Sequence, residues 1–358
     1  MQVRPPAVAG MFYPGKPEQL RQMLAELLGD ARRRRLAATG GDTSFSPGKV
    51  RAVVVPHAGY IYSGSTAALA YDLLESVVDS VKHVVIVGPT HRVGIPGIAL
   101  PQADALATPL GEVRLWPEGV EIASAQAQVV VSADVHAAEH SLEVQLPFVQ
   151  TVLPGADVLA LAAGWVDAAA VAAVLEACAI RQDTIIVISS DLSHYHSYAQ
   201  AQRIDQATVR QILECDPQID HNQACGATGV NAMSRLARDH GWQPHLLGCC
   251  NSGDTAGDKS RVVGYAAVAY DEPGGWESVG RESGARELGA RELGGCELGA
   301  RELGGCESAA RGSADRESGG WESVDRESAD DEPGDRELGG PRSVSRQAPT
   351  WGTVPNLA

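Results

Sequence analysis

The sequence predicts an α/β protein: a single domain with a central, mostly buried β-sheet flanked by helices, followed by a disordered tail. Three observations carry this. Short apolar runs, most of them rich in β-branched residues, recur through residues 1–270; helical stretches alternate with them; and from Asp271 the chain changes to a five-residue repeat. Strand and helix in alternation imply a layered α/β fold.

The first helix is read from Leu20, Met23, Leu24, Leu27 and Leu28, the i, i+3, i+4, i+7, i+8 stripe of an amphipathic helix, opened by Pro17 and closed at Gly29. The one basic run, Arg32 to Arg35, reads as a solvated helix end. Ala52–Val55, Val84–Val87, Val158–Leu161 and Ile185–Ile188 are each too short for a helix and are bounded by breakers or polar residues, as buried strands are. Ala67–Val78, Ala168–Ala179 and Ala199–Leu213 are the helical stretches, and Val262–Tyr270 closes the globular part. Ser63-Gly64-Ser65-Thr66 reads as a helix entry with a capping hydroxyl.

The chain has 358 residues and a formal net charge of −16. Much of that charge lies in residues 271–358, which hold 19 Asp and Glu against 10 Arg and no Lys. The body is only mildly acidic, which argues against a nucleic-acid groove, since backbone binding needs a concentrated basic face. The repeat, beginning DEPGG WESVG RESGA RELGA, has a period of five that matches neither helix nor strand. One Leu or Ser per unit cannot offset the entropy of ordering the chain, so 271–358 is expected to be disordered. No stretch approaches the length of a membrane span, no secretory h-region is present, and the seven cysteines show no disulfide-framework spacing. A cytoplasmic setting is the expectation. The pair Cys249-Cys250 lacks a CxxC context and reads as small buried residues.

Three strands run directly into histidine-bearing turns. Val53–Val55 leads into Pro56-His57, Val84–Val87 into Gly88-Pro89-Thr90-His91, and Ile185–Ile188 into Ser189-Ser190-Asp191-Leu192-Ser193-His194. In open α/β sheets ligands bind beyond the carboxyl ends of the strands, so parallel neighbours would bring His57, His91 and His194 into one crevice. Converging imidazoles suit iron, zinc or copper, and two histidines with one carboxylate and open positions would suggest non-haem Fe(II). Asp254 and Asp258, in a Gly-broken loop, are the candidate carboxylates; a turn built by Asx side chains explains the same loop equally well.

His136-Ala137-Ala138-Glu139-His140 also matches H-x-x-E-H, the inverted zincin pattern of a zinc peptidase. That chemistry needs both histidines on one face of a sustained helix, and Pro147 limits the helix after His140 to about two turns. No G-x-S-x-G elbow, P-loop or G-x-G-x-x-G after a strand is present.

Taken together, AGMFYP at 9–14, PHAGY-x-Y-SG at 56–64, GPTH at 88–91, EHSLE-x-QLPF at 139–148, SSDLSH at 189–194, NSGD-x-x-GD at 251–258 and SRVVGYAA at 260–267 resemble, in order, the blocks of the Memo family. The resemblance covers essentially residues 4–270 and leaves the tail without a counterpart. It implies a fold shared with class III extradiol ring-cleaving dioxygenases, which use non-haem Fe(II). It also implies the system in which bacterial and archaeal members are grouped as component B with an AMMECR-like protein and a radical SAM protein; animal members are described as metal-binding, redox-linked signalling proteins. By the resemblance, His57 and His91 match the metal ligands and His194 the acid/base histidine, with Asp191 in the same block. His140 belongs to the EHSLE block. Animal members supply a cysteine as third ligand, a position that falls at Thr255 here, and Asp254 one residue earlier is the expected substitute.

The expectation is therefore a Memo-like protein with a non-haem metal at the strand ends: His57, His91 and Asp254 as ligands, and His194, Asp191 and His140 as the catalytic group. Fe(II) is the expected cofactor, with copper or zinc as alternatives, and the activity is dioxygenase-like on a small-molecule substrate. A non-enzymatic protein binding a metal or peptide is the alternative, and a zinc peptidase ranks third.

Overall fold

Side chains branched at Cβ suit a pleated strand covered on both faces, and the runs that carry them form the middle of the sheet. The computed structural model describes residues 2–38 and 50–272. Its first half comprises β1 (Val3–Arg4), α1 (Pro17–Ala38), β2 (Val50–Val55), α2 (Tyr60–Leu74), β3 (His83–Pro89), β4 (Ile98–Leu100), β5 (Ala105–Thr108), β6 (Gly111–Arg114), α3 (Pro117–Ser124), β7 (Val129–Val131) and α4 (Ala133–Ala137). There follow α5 (Leu146–Val152), β8 (Asp157–Ala163), α6 (Ala168–Ala179), β9 (Thr184–Ser189), β10 (His194–His196), α7 (Tyr198–Leu213), α8 (Ala227–His240), β11 (Gln243–Asn251) and β12 (Val262–Asp271).

Among the described residues the main sheet has nine strands in the order β10-β12-β2-β9-β3-β8-β4-β7, with β11 paired to β12. Its centre, β2-β9-β3-β8, is parallel: Ala52 lies opposite Ile186, and Val84 opposite both Ile185 and Val158. Antiparallel strands flank it, β12 on β2 and β4 on β8. A separate three-stranded sheet is ordered β1-β5-β6.

The period of two along each central strand divides the core in two. Val53, Val55, Ile86, Ala160 and Val187 face α1, α2 and α5; Ala52, Val54, Val87, Leu161 and Ile188 face α6, α7 and α8. Every residue of β2, β8 and β9 is buried, which is why these strands read as continuous apolar runs. All four expected strands lie within observed ones, and the closing run Val262–Tyr270 lies within β12. The α/β layer architecture is the predicted one.

Some boundaries differ for physical reasons. Helix α1 does not stop at Gly29 but runs to Ala38. Buried Asp72 of α2 accepts hydrogen bonds from Arg35 Nε at 2.6 Å and Arg32 Nε at 3.4 Å, so part of the arginine run anchors the helix rather than simply facing water. Helix α2 begins at Tyr60, which places Ser63–Thr66 inside it; Ser63 Oγ donates to the Ala58 carbonyl at 2.9 Å. It ends at Leu74, and Glu75–Val77 continue as a 3-10 turn. Helix α8 and strand β11 were not expected. The five-residue repeat lies almost wholly outside the described residues. Among the described residues no helix is long and apolar enough to cross a membrane.

For function, the important fact is adjacency. Strands β2, β9 and β3 are consecutive parallel neighbours, so their carboxyl ends, with the turns they feed, lie side by side.

Candidate metal centre

His57 follows β2 by two residues and His91 follows β3 by two. A third histidine reaches them from outside the parallel strands. The Cβ of any residue larger than glycine at position 88 would stand 2.7 Å from Ser141 Oγ, so Gly88 lets the segment after α4 close over the end of β3. Ser141 Oγ donates to the Pro89 carbonyl at 2.8 Å and fixes that approach. The closure brings in His140.

Ligand atoms of His57, His91 and His140 lie within 4.8 Å of one another. The ring centroids are 5.2 Å apart for His57–His91, 5.5 Å for His57–His140 and 4.6 Å for His91–His140. Exposure is graded: His57 is 1 % exposed, the His140 side chain 13 % and the His91 side chain 28 %, so the group opens to solvent on the His91 side.

Hydrogen bonding determines which nitrogen two of the rings present. Ser189 Oγ gives its single proton to the Ser141 carbonyl at 2.6 Å and accepts from Gln145 Nε2 at 2.8 Å. Toward His57 Nδ1, 3.0 Å away, it is left only an acceptor role. His57 therefore carries its proton on Nδ1 and has a bare Nε2. Burial, then the charges of His91 and His140, push its pKa well below the ordinary value, so it stays neutral. His91 Nδ1 meets Glu139 Oε1 at 2.9 Å, leaving Nε2 for the group. His140 Nδ1 is buried without a hydrogen-bond partner, 3.4 Å from Glu139 Oε1. Burial, followed by the His91 charge, lowers the His140 pKa to about 4.

Glu139 organises the cluster. Oε1 accepts from His91 Nδ1, His140 N and Ser141 N, each at 2.9 Å, and Oε2 accepts from His91 N at 2.5 Å. Burial alone would raise its pKa, but the His91 hydrogen bond and the charges of His91 and His140 outweigh it and hold the carboxyl well below its ordinary range. The converse applies at His91: burial works downward, while hydrogen bonds and charge from Cys225 and Glu139 raise its pKa to about 10. A carboxylate on the outer nitrogen of a histidine is the usual support of a metal ligand.

These residues fit a metal ion. Three imidazoles converge, two have their outer nitrogens pinned, and the third offers a buried nitrogen with no partner.

The other expected site residues are placed as follows. His194 Nδ1 lies 2.8 Å from the Leu192 carbonyl, so Nδ1 carries the proton and Nε2 is the basic atom. His194 is outside the three-histidine group, yet close enough for its charge to act on His57 and Asp191. Asp191 is buried, and its Oδ1 accepts from the backbone N–H of His57 at 2.7 Å and Ala58 at 3.3 Å. It thus holds the His57 turn, and its tie to His194 is electrostatic. Asp254 does not join the histidines: Oδ2 accepts from Asn251 N at 3.0 Å while Asn251 Oδ1 accepts from Gly253 N at 2.9 Å, and Tyr198 donates to Oδ1. The Asx-turn account of that loop is the one observed; Asp258 likewise accepts from Ser260 N, and Thr255 Oγ1 donates to the Ser252 carbonyl. His136 is also apart. Helix α4 ends at Ala137, and His136 Nε2 lies 2.9 Å from the Ala99 carbonyl, so the H-x-x-E-H residues do not form the two-histidine helix face of a zinc peptidase.

Sequence reasoning missed two residues here. Glu139 sat inside a quoted block without a role. Cys225, two residues before α8, places Sγ 3.3 Å from His57 Nε2 and helps to raise the His91 pKa. No motif spacing announces it.

The family described as Memo-like protein matches residues 4–269. The chain is 35 % identical over 291 residues to a MEMO1 family protein of Ignicoccus hospitalis, covering 76 % of this chain and 100 % of the relative. It is 34 % identical over 285 residues to a MEMO1 family protein of Archaeoglobus fulgidus, covering 75 % and 99 % respectively. With a MEMO1 family protein of Methanopyrus kandleri it shares 33 % identity over 289 residues, 75 % of this chain and 98 % of the relative. The ordered blocks, the α/β layers and these matches agree: the chain belongs to the Memo family.

Proposed function

We propose that the protein is a non-haem metal-dependent oxidoreductase of dioxygenase-like type, with Fe(II) held by His57, His91 and His140. The observation that carries this reading is the convergence of three imidazoles at the carboxyl ends of parallel strands, with Glu139 behind one of them. His140 takes the place that Asp254 was expected to fill, because the Asp254 carboxylate is committed to its own turn. When bound, a redox-active ion would supply Lewis acidity and electron transfer toward O₂ or an organic substrate.

The chain's own residues do the rest. His57, buried and neutral, offers Nε2 without a deprotonation step. Asp191 fixes the turn that aims it. Phe12, with its ring 4.6 Å from that of His140, covers one side of the cluster against water. His194, protonated on Nδ1, holds Nε2 as a base for a substrate proton. By the family resemblance, an AMMECR-like protein and a radical SAM protein are the proposed partners.

The test is O₂ uptake by the full chain, loaded anaerobically with Fe(II) and offered catechol-type substrates. Catalytic uptake is expected, reduced about 10²–10⁴-fold in His194→Ala with iron content unchanged. Stoichiometric substrate binding with no O₂ uptake would overturn the enzymatic reading in favour of a binding protein.

A further inference from the structure

The thiol of Cys225 meets the histidine cluster. Its Sγ lies 3.3 Å from His57 Nε2, and it is close enough to act on His91. Since His57 carries its proton on Nδ1, the nitrogen that faces the sulfur is the bare one. Two donors on one tetrahedral ion, with metal–sulfur near 2.3 Å and metal–nitrogen near 2.0–2.1 Å, stand about 3.5 Å apart. The separation from His57 is close to that spacing, and since the sulfur stands outside the group whose ligand atoms all lie within 4.8 Å of one another, it would move toward the other two rings as the ion binds.

The sulfur is also held in place. Cys225 N donates to the Asp191 carbonyl at 3.3 Å, and Gly226 N donates to Ser190 Oγ at 2.9 Å. A Cβ at position 226 would stand 2.7 Å from the Ser190 side chain and 2.8 Å from the Ser189 carbonyl, so glycine is what allows this loop to lie against the end of β9. Asp191, which anchors the His57 turn through its side chain, anchors Cys225 through its carbonyl. Imidazole and thiol are thus fixed to one residue, as a preorganised pair of ligands would be.

We propose that Cys225 supplies a thiolate to the metal held by the three histidines, making the centre a mixed imidazole–thiolate site. The sulfur gives up its proton to solvent as the ion enters. This rests on the metal-centre reading above. A thiolate biases such a site toward iron, zinc and copper and away from magnesium, calcium and manganese.

Cobalt(II) tests it without reference to activity. The full chain loaded with cobalt should show a near-ultraviolet sulfur-to-cobalt charge-transfer band. Cys225→Ser should lose the band while keeping cobalt, and Cys249→Ser and Cys250→Ser should retain both. Independently of any variant, bound cobalt should slow alkylation of Cys225, read by peptide mass spectrometry, at least about tenfold. Cobalt bound with no band, or with alkylation of Cys225 unslowed, would overturn the thiolate ligand and leave the histidine centre standing. No cobalt bound at all would overturn the centre and the proposal together.

Discussion

Glu143→Ala is expected to cost about 4 kcal/mol of stability. The Glu143 side chain is 1 % exposed and ion-pairs with Arg4, whose side chain is 10 % exposed. It also accepts from Ala7 N at 2.7 Å, Val8 N at 2.9 Å and the Tyr13 hydroxyl at 2.6 Å. Alanine would leave a nearly buried guanidinium without its counter-charge, held only by the His136 and Glu139 carbonyls, and would remove the acceptor of three further donors; breaking a buried pair from one side costs about 3–5 kcal/mol. At about 2–4 °C per kcal/mol for a domain of this size, the melting temperature should fall by roughly 8–16 °C. Glu143→Gln keeps an acceptor and should lose less. The effect should reach the metal centre, because the same N-terminal segment carries Phe12 onto His140. A loss below about 1 kcal/mol by calorimetry would show that this network does not anchor the segment.

Glu139→Gln is expected to weaken metal binding about 10–100-fold, the usual effect of removing an outer-shell carboxylate. Glutamine fills the same space but cannot accept from all four N–H groups that Glu139 now satisfies. The pH dependence has a definite sign. In the metal-free protein the depressed Glu139 pKa gives stability that is present above the ordinary carboxyl pKa and lost as pH falls through the folded value. The raised His91 pKa gives stability that is full below about 6.5 and lost as pH rises through about 10. The pair is therefore most stabilising in mildly acidic solution. Metal must displace the His91 proton as well as the Cys225 proton, so affinity should climb with pH between about 6.5 and 10, and isothermal titration should record about two protons released per ion at neutral pH, one from His91 and one from Cys225. In Glu139→Gln, with much of the His91 stabilisation gone, the climb should be flatter. An unchanged slope would assign the raised His91 pKa to another group.

The fold was legible where burial on both faces forces β-branched side chains together, as in β2, β3 and β9. It was illegible where the signal was short or interrupted. Strands β4 and β7 have three residues each, and Gly248 breaks the register of β11 against β12. Helix α8 was hidden by Gly229, where a Cβ would come within 3.3 Å of Val87 and Ile188, so that glycine serves helix-on-sheet packing rather than a turn. The same contrast runs through the site. His57 and His91 were legible because each directly follows a buried strand. The place of His140 beside them was not, since it depends on a segment folding back over Gly88, a contact no local pattern encodes. Cys225 comes from an irregular loop, with no spacing to mark it. Asp254 looked equally good as ligand or turn-former, and only its partners decide the matter.

Metal content, measured on the full chain reconstituted anaerobically with Fe(II), tests the three-histidine centre most directly. The unaltered chain and Asp254→Ala should each hold about one ion, and His57→Ala, His91→Ala and His140→Ala should each fall below about a tenth of that. Iron retained by His140→Ala but lost from Asp254→Ala would contradict the centre described and return the third ligand to the loop after β11.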